Sequence, residues 1–381
     1  MTASALRGSA ERQRCPIKID EGVCGLASAR FTPDGRHAIT CCQFNIRLTV
    51  WNLLGGKHHY IDNPKHSEKG LDFDPDGSFM AVIHRKNFKD AVKLYSCRTW
   101  DVVNTWEVPS MDLADLKFSP NGRFICAWDN PLQYNLFVYS APKGDLLLKY
   151  CAYEDALAIK TVAWSPNSMF LAVGSYDQRV RLINYLTWKP MCEYGHLASC
   201  APLSTSSCTV YRETMHADED ISQYVVNEVC QGLLSTIERC QQELQGPFVP
   251  HEVAPDPEKP NPKLGIGLMR WSTDSEYLAT RNDNQPNCVY IWVTKTLSLV
   301  CILNQLLPVR SLEWNNTKPQ LLVVTENARL FSWTALGAAC VTIPTEGFRA
   351  SSIVMNPTRD SLLLLDRAQA VACFNADERD E

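Results

Sequence analysis

Residues 159–184 read IKTVAWSPNSMFLAVGSYDQRVRLIN. Apolar residues alternate through IKTVAW, stop at Ser165-Pro166-Asn167, alternate again through MFLAVGS, stop at Tyr176-Asp177-Gln178, and resume in RVRLIN. A period of two places successive side chains on opposite faces of a strand, and Pro, Asn, Asp and Ser favour the tight turns between. Three short strands joined by turns cannot bury their own faces. The rest of the chain must supply the neighbours.

It does so by repetition. The first strand of the unit ends in an apolar anchor before its turn, and the same anchor recurs at Phe31, Phe73, Phe118, Trp164, Trp271, Trp314 and Met355. The intervals are 42, 45, 46, 107, 43 and 41 residues, which apart from the long one match the roughly 40–45 residue period of propeller blades. The long interval is one period plus an insertion of about 62 residues. Third strands follow as RLTVWN, AVKLYS, LFVYS, RVRLIN, VYIWV, RLFSW and VACF, and fourth strands as KHHYID, VVNTWEV, LLLKYC, PMCEYG, LSLVCIL and AACVTI. The pattern predicts an all-β, WD40-type propeller of seven blades. A fourth strand is lacking after the last unit, and the alternating segment Cys15–Asp20 is expected to complete that blade, which would remove an exposed sheet edge.

The expected organisation is therefore a non-repeat tail (1–14), blades with the closing strand (15–195), an insertion (196–261), further blades (262–375) and a polar tail (376–381). The repeats resemble worn WD40 units. Trp51-Asn52, Trp292-Val293 and Trp333-Thr334 stand where a Trp-Asp pair would be, and Gly195-His196 is the one Gly-His dipeptide. Asp177 lies in a tight turn, where an Asp bonds nearby backbone, and it reads as structural.

Within the insertion, Ile221, Val225, Val229, Leu233, Ile237 and Leu244 recur at three- and four-residue spacing behind Asp218, Glu219 and Asp220. Residues 218–244 are thus expected to form an amphipathic helix, although Gly232 weakens it. The proline-rich stretch PFVPHEVAPDPEKPNP predicts an extended return.

The totals exclude several functions. A net charge of -5 over 381 residues gives no electrostatic reason for a nucleic acid or an acidic membrane as main partner. No apolar run approaches a bilayer span, and MTASALRGSAERQR lacks the apolar core of a secretory signal. Sixteen cysteines without a CxxC pair read as free buried thiols of a reducing compartment, the cytoplasm, where the Asn315-Asn316-Thr317 sequon stays idle. There is no phosphate loop, HExxH or GxSxG. His58, His59 and His66 have no cysteine at ligand spacing and read as surface histidines. No catalytic, metal-ligating or cofactor-binding residue is expected, and the protein is read as a non-enzyme.

Function on such a scaffold belongs to loops. The turns between second and third strands differ in length: short around Asp177, longer in HRKNFKDA, WDNPLQYN and RNDNQPNC. The candidate partner-binding residues are Arg85, Trp128, Asn130, Tyr134, Arg281, Asn282 and Asp283, with Tyr176 and Arg179 beside them, since interfaces favour aromatic and Arg side chains. Tolerated surface variation is the plainer alternative for any one of them.

Several stretches carry a closer resemblance: IKIDEG (17–22), PDGRHAIT with LTVWNL following, residues 152–196, LLPVRSLEWN (306–315), and above all VGSYDQRVR and LATRNDNQPNCVYIW. They resemble the WD-repeat-containing protein 8 group, WD40 proteins of centrosomes and spindle poles, from about residue 15 to about residue 375. The resemblance implies a non-enzymatic adaptor at centrosomes, centriolar satellites and spindle poles, acting in microtubule minus-end anchoring, mitotic spindle assembly and early ciliogenesis. It implies a coiled-coil spindle-anchoring protein as partner and, as in fungi, a minus-end-directed kinesin-14. Members of the group begin with further WD-like units, so the chain is expected to be an N-terminally shortened form. The alternatives are a ubiquitin-ligase substrate receptor, a propeller hydrolase and a propeller of translation initiation. A receptor's Trp-Asp-x-Arg strand end is replaced here by Trp51-Asn52-Leu53-Leu54 and Trp292-Val293-Thr294-Lys295. A hydrolase would need an acid, base or nucleophile set in one channel, and an initiation propeller a basic surface.

Overall fold

The structure is a computed structural model that describes residues 18–22, 25–154, 156–196, 208–215, 222–223, 250–256, 258–259 and 262–374. It divides into two compact units at Ala156/Leu157.

The first unit holds three sheets. They are β1–β4 (Leu26–Phe31, His37–Cys42, Arg47–Asn52, His58–Asp62), β5–β8 (Leu71–Phe73, Phe79–Lys86, Lys89–Ser96, Val102–Glu107) and β9–β12 (Leu113–Phe118, Phe124–Asp129, Asn135–Ser140, Leu146–Cys151). The second unit opens with β13–β16 (Ile159–Trp164, Phe170–Ser175, Arg179–Asn184, Pro190–Gly195). Three short strands follow: β17 (Thr209–Arg212), β18 (Thr214–Met215) and β19 (Ser222–Gln223). Next come β20–β23 (Ile266–Trp271, Tyr277–Asn282, Cys288–Val293, Ser298–Asn304), β24–β27 (Ser311–Trp314, Leu321–Val324, Arg329–Thr334, Gly337–Thr342) and β28–β30 (Ser352–Met355, Ser361–Leu365, Ala370–Phe374). Within each of these seven sheets every strand pairs with the next in sequence, which is the up-and-down order of a propeller blade. The fold is the seven-bladed WD40 type, with three blades in one unit and four in the other.

Local chemistry builds each blade. Ser165 Oγ accepts from Phe170 N (2.9 Å) and donates to Asn167 Oδ1 (2.7 Å), closing the first turn of β13–β14. Ser119 with Asn121, Ser272 with Asp274 and Thr32 with Asp34 repeat the device. The hydroxyl-x-Asp/Asn spacing in SPNS, SPNG, STDS and TPDG is what makes these turns tight. Middle strands are buried on both faces, as in β14, where Leu171, Ala172 and Val173 are at most 1% exposed. Fourth strands such as β8 and β12 alternate between exposed and half-buried.

Each anchor ends its strand as expected. Trp271 stacks on Phe170 of the sheet before it, and Phe118 joins a cluster with Ala81 of the preceding sheet. Burial of the anchors is uneven, for Phe73 and Met355 are half-buried and Phe31 is 70% exposed.

Two expectations fall largely outside the described residues. The apolar stripe of 218–244 is one; of that span only Ser222–Gln223 is described, as a strand paired with Thr214–Met215. The closing strand at 15–20 is the other; residues 15–17 are not described, and 18–20 carry no strand. Among the described residues β28–β30 is three-stranded. The sequence reading missed β17, a strand of the insertion that pairs parallel with β23, Thr209 opposite Cys301. It makes β20–β23 a five-stranded sheet.

Candidate functional site

Six of the nine candidate residues fall into two polar clusters, one in each unit, and Trp128, Tyr134 and Arg179 stand outside them.

In the first unit, HRKNFKDA is not a long loop. Strands β6 and β7 stay paired up to Lys86 opposite Lys89, leaving only Asn87 and Phe88 as the turn. Arg85 therefore sits in β6 opposite Asp90. Asp90 is fully buried and accepts from Lys65 Nζ (2.7 Å), Arg85 Nε (2.8 Å) and Leu113 N (2.7 Å). Lys65 also meets Asp112 at 2.6 Å, and Asn130 donates to the other Asp112 oxygen. Burial pushes the Asp112 carboxyl up, but the Lys65 bond and charge, the Asn130 bond and Arg85 outweigh it, and the group lies below the usual carboxylate range. Asn130 Oδ1 accepts from Leu132 N at 2.9 Å. Trp128 is buried in β10, and Tyr134 is half-buried just before β11.

In the second unit, Tyr176, Arg281, Asn282 and Asp283 converge. Lys160 Nζ reaches Asp283 (2.7 Å), donates to Leu264 O (2.7 Å), and lies 4.8 Å from the Tyr176 ring centre. Arg281 pairs with Asp283 at 2.5 Å and bonds the Val309 carbonyl. Asn282 and Asn284 both donate to Gln178 Oε1, at 2.9 and 3.1 Å. Gly265 has φ +80°, and a Cβ there would stand 2.5 Å from Tyr176 Cα and 2.6 Å from the Ser175 carbonyl. Only glycine fits that approach. Arg179 stands apart, ion-paired to Glu193 at 2.7 Å with both side chains exposed, a pair of little energetic weight.

Beneath this cluster lies a chain of bonds that sequence reading did not assemble. His196 Nδ1 faces the Gln178 carbonyl at 3.2 Å, so the proton sits on Nδ1, and Nε2 accepts from Thr280 Oγ1 at 2.7 Å. Trp292 Nε1 donates to the same hydroxyl at 2.9 Å. Gln285 Nε2 donates to the His196 carbonyl and to Glu252 Oε1, both at 2.8 Å, and its Oε1 accepts from Tyr290 at 2.6 Å. Complete burial holds the His196 imidazole down at about 4, neutral near pH 7. The lone Gly-His dipeptide was the one sequence signal for it. Glu252 and Val253, in the proline-rich return, bond Gln285 and Asn284 and dock that segment here.

Chemically these clusters are largely paired polar frameworks, although Arg281 Nε, Asn282 Oδ1 and Asn284 Oδ1 are buried without a hydrogen-bond partner. Their carboxylates face cations and amides, and the one hydroxyl–imidazole contact among them, Thr280 to His196, is buried on both sides. Described cysteines are free thiols, and burial pushes Cys288 and Cys340 up to about 12. Among the described residues no three His, Cys, Asp or Glu side chains group to hold a metal. Nor is any helix among them long and apolar enough to cross a membrane. What the arrangement can do is hold rigid turns in place for another protein.

Comparison with known proteins agrees with this geometry. The WD40 family profile (WD domain, G-beta repeat) matches residues 144–184, and the protein is of the WD40 repeat class. The mouse WD repeat-containing protein WRAP73 is 37% identical over 370 residues, 96% of this chain and 79% of the mouse protein. The chain belongs to this family, the WD-repeat-containing protein 8 (WRAP73) group. An uncharacterized WD repeat-containing protein of Schizosaccharomyces pombe is 23% identical over 309 residues, 80% of this chain and 58% of that one.

Proposed function

We propose that this protein is a non-enzymatic scaffold of centrosomes, centriolar satellites and spindle poles. It acts in microtubule minus-end anchoring, mitotic spindle assembly and ciliogenesis. Its partners are a coiled-coil spindle-anchoring protein and a minus-end-directed kinesin-14. The observation that carries the reading is the 37% identity to mouse WRAP73 sustained over 96% of the chain. The polar clusters support it, since ties such as Arg85 to Asp90, Lys160 to Asp283 and Gln178 to Asn282 fix turn geometry.

The test is localisation and affinity capture of the full chain in dividing cells. The reading expects signal at spindle poles and recovery of the coiled-coil anchor. Diffuse cytoplasmic signal with recovery of ubiquitin-ligase subunits would replace it with the receptor reading.

A further inference from the structure

In a blade, the link into the first strand and the turn between the second and third lie at the same end, because antiparallel pairing sets the start of the first strand against the end of the second. Ser311 opposes Val324 in β24–β27, and Ser352 opposes Leu365 in β28–β30. That end of the two sheets carries three arginines. Arg310 and Arg349 lie in the links before β24 and β28, and Arg367 lies in the β29–β30 turn.

Direct bonds gather them around two carboxylates. Glu326, in the β25–β26 turn, lies 2.5 Å from Arg310 through Oε2 and Nη2, and 3.2 Å from Arg367 through Oε1 and Nη2. Its amide donates to the Ala350 carbonyl at 2.9 Å, which brings Arg349 alongside. Asp366 accepts from the backbone amides of Arg349 (3.3 Å) and Arg367 (2.6 Å). Arg349 stands between Phe348 and Ala350, both at most 1% exposed, and is itself exposed, so its side chain turns to solvent.

These guanidinium groups have donors to spare. Each presents a rigid fork of N–H groups. Among the described residues Arg310 and Arg367 share the one Glu326 carboxylate, Arg349 has no ion pair, and none of the three side chains bonds a carbonyl. Glu346, exposed in the same link as Arg349, makes no ion pair among the described residues either. Asp283 also serves two cations, but Lys160 and Arg281 complete their bonding with the Leu264 and Val309 carbonyls and are 14% and 17% exposed. Arg310 and Arg367 are 53% and 86% exposed. The buried pair is a structural tie, whereas the exposed trio is open to a ligand.

Glu326 decides which ligand. A tethered carboxylate already occupies Arg310 and Arg367, at an effective concentration that an untethered Asp or Glu side chain cannot match. A phosphate monoester brings a charge of about -1.5 to -2 and three acceptor oxygens. It can displace Glu326, take bonds from Arg310 and Arg367, and engage Arg349 as well. Three guanidinium groups around one point suit a single phosphate rather than the phosphate run of a nucleic acid. We infer that Arg310, Arg349 and Arg367 bind a phosphorylated serine or threonine of a partner protein, and that Glu326 is the internal competitor that turns away unphosphorylated acidic segments. The inference rests on the scaffold reading only in that both require a protein partner.

The test uses the full chain and a fluorescent Gly-Ser peptide of about ten residues with one phosphoserine. Twin peptides carry serine or glutamate at that position. Anisotropy should show saturable, salt-weakened binding of the phosphopeptide, binding of the glutamate twin at least about tenfold weaker, and none of the serine twin. Arg349→Ala and Arg367→Ala should each weaken phosphopeptide binding about tenfold with little change in the unfolding midpoint, since both side chains are exposed. Glu326→Gln should do the opposite, strengthening phosphopeptide binding and letting the glutamate twin bind, an effect that loss of folding cannot mimic. Phosphate-independent binding, affinity indifferent to the arginine variants, or no gain with Glu326→Gln would overturn the inference. So would inorganic phosphate displacing the probe at equal concentration, which would assign the site to the free anion. Capture of phosphoinositide vesicles through the same arginines, without peptide binding, would overturn it in favour of a membrane. Spindle-pole localisation with no phosphopeptide binding would sink this inference and leave the proposed function standing; phosphopeptide binding with diffuse localisation would do the reverse.

Discussion

Asp90 shows how much one side chain can hold. It has no exposure, and it accepts from a lysine, an arginine and a backbone amide drawn from three segments. Asp90→Ala leaves the Lys65 ammonium, 5% exposed, short of a partner and should cost about 3–5 kcal/mol. Urea unfolding checks this, and a loss under about 1 kcal/mol would mean the cluster is not held by this carboxylate. Gly265→Ala should cost about 2–4 kcal/mol, from positive φ and from a Cβ driven into the Tyr176 backbone, which cannot yield as a side chain can. Two histidines set the acid side of stability. Burial holds His84 and His196 at about 4, against 6.5 for an unperturbed imidazole. Between those values the unfolded chain binds more protons than the folded one. Stability is therefore full above pH 6.5 and is lost as pH falls toward 4, by about 3 kcal/mol per histidine. Urea midpoints across that range should fall steadily, and His196→Gln should flatten the slope while lowering the plateau.

At the scale of elements, the insertion is part of the fold. Strand β17 covers β23, the outer strand of its sheet, and Tyr211 packs in a cluster with Phe331 and Trp333 of the following sheet. Glu213, 2% exposed, accepts from Leu306 N at 2.8 Å and lies 3.5 Å from Arg329. Covering explains why β23 is more buried than β8 or β12. Tyr211→Ala should cost about 3–4 kcal/mol. Hydrogen exchange should show lost protection in β23 and β26 and none in β6 or β7 of the other unit. Equal loss in both units would contradict this placement. The β6–β7 hairpin teaches a converse point. Its sequence, HRKNFKDA, is polar enough to read as a loop, yet Asp90 buries its charge between Lys65 and Arg85 and keeps the strands paired.

For the whole molecule, hydrophobic clusters with polar ties hold each unit, and the described cysteines are free thiols. Chelation with EDTA should leave the unfolding midpoint unchanged; a drop would reveal a structural ion. Much of this architecture was legible in the chain. Strand alternation, turn chemistry two to five residues long and the spacing of Phe73, Phe118, Trp164, Trp271 and Trp314 are local properties that repeat, and repetition averages out their individual ambiguity. The site was less legible. Arg281, Asn282 and Asp283 were visible as a polar turn, but their partners Val309, Gln178 and Lys160 were not.

What the sequence determined by itself is the blade: its strands, its tight turns, its number of copies and its family. What only the tertiary structure decided is how distant segments share polar groups. Lys65 reaches Asp90 across 25 residues and Leu113 across 48, His196 reaches Thr280 across 84, and Asn282 reaches Gln178 across 104. The exposure of Phe31, Phe44 and Phe88 and the parallel docking of β17 are of the same kind. Periodicity follows from backbone geometry within one strand, whereas burial, pairing and exposure depend on which other strand arrives alongside, and no local pattern encodes that arrival.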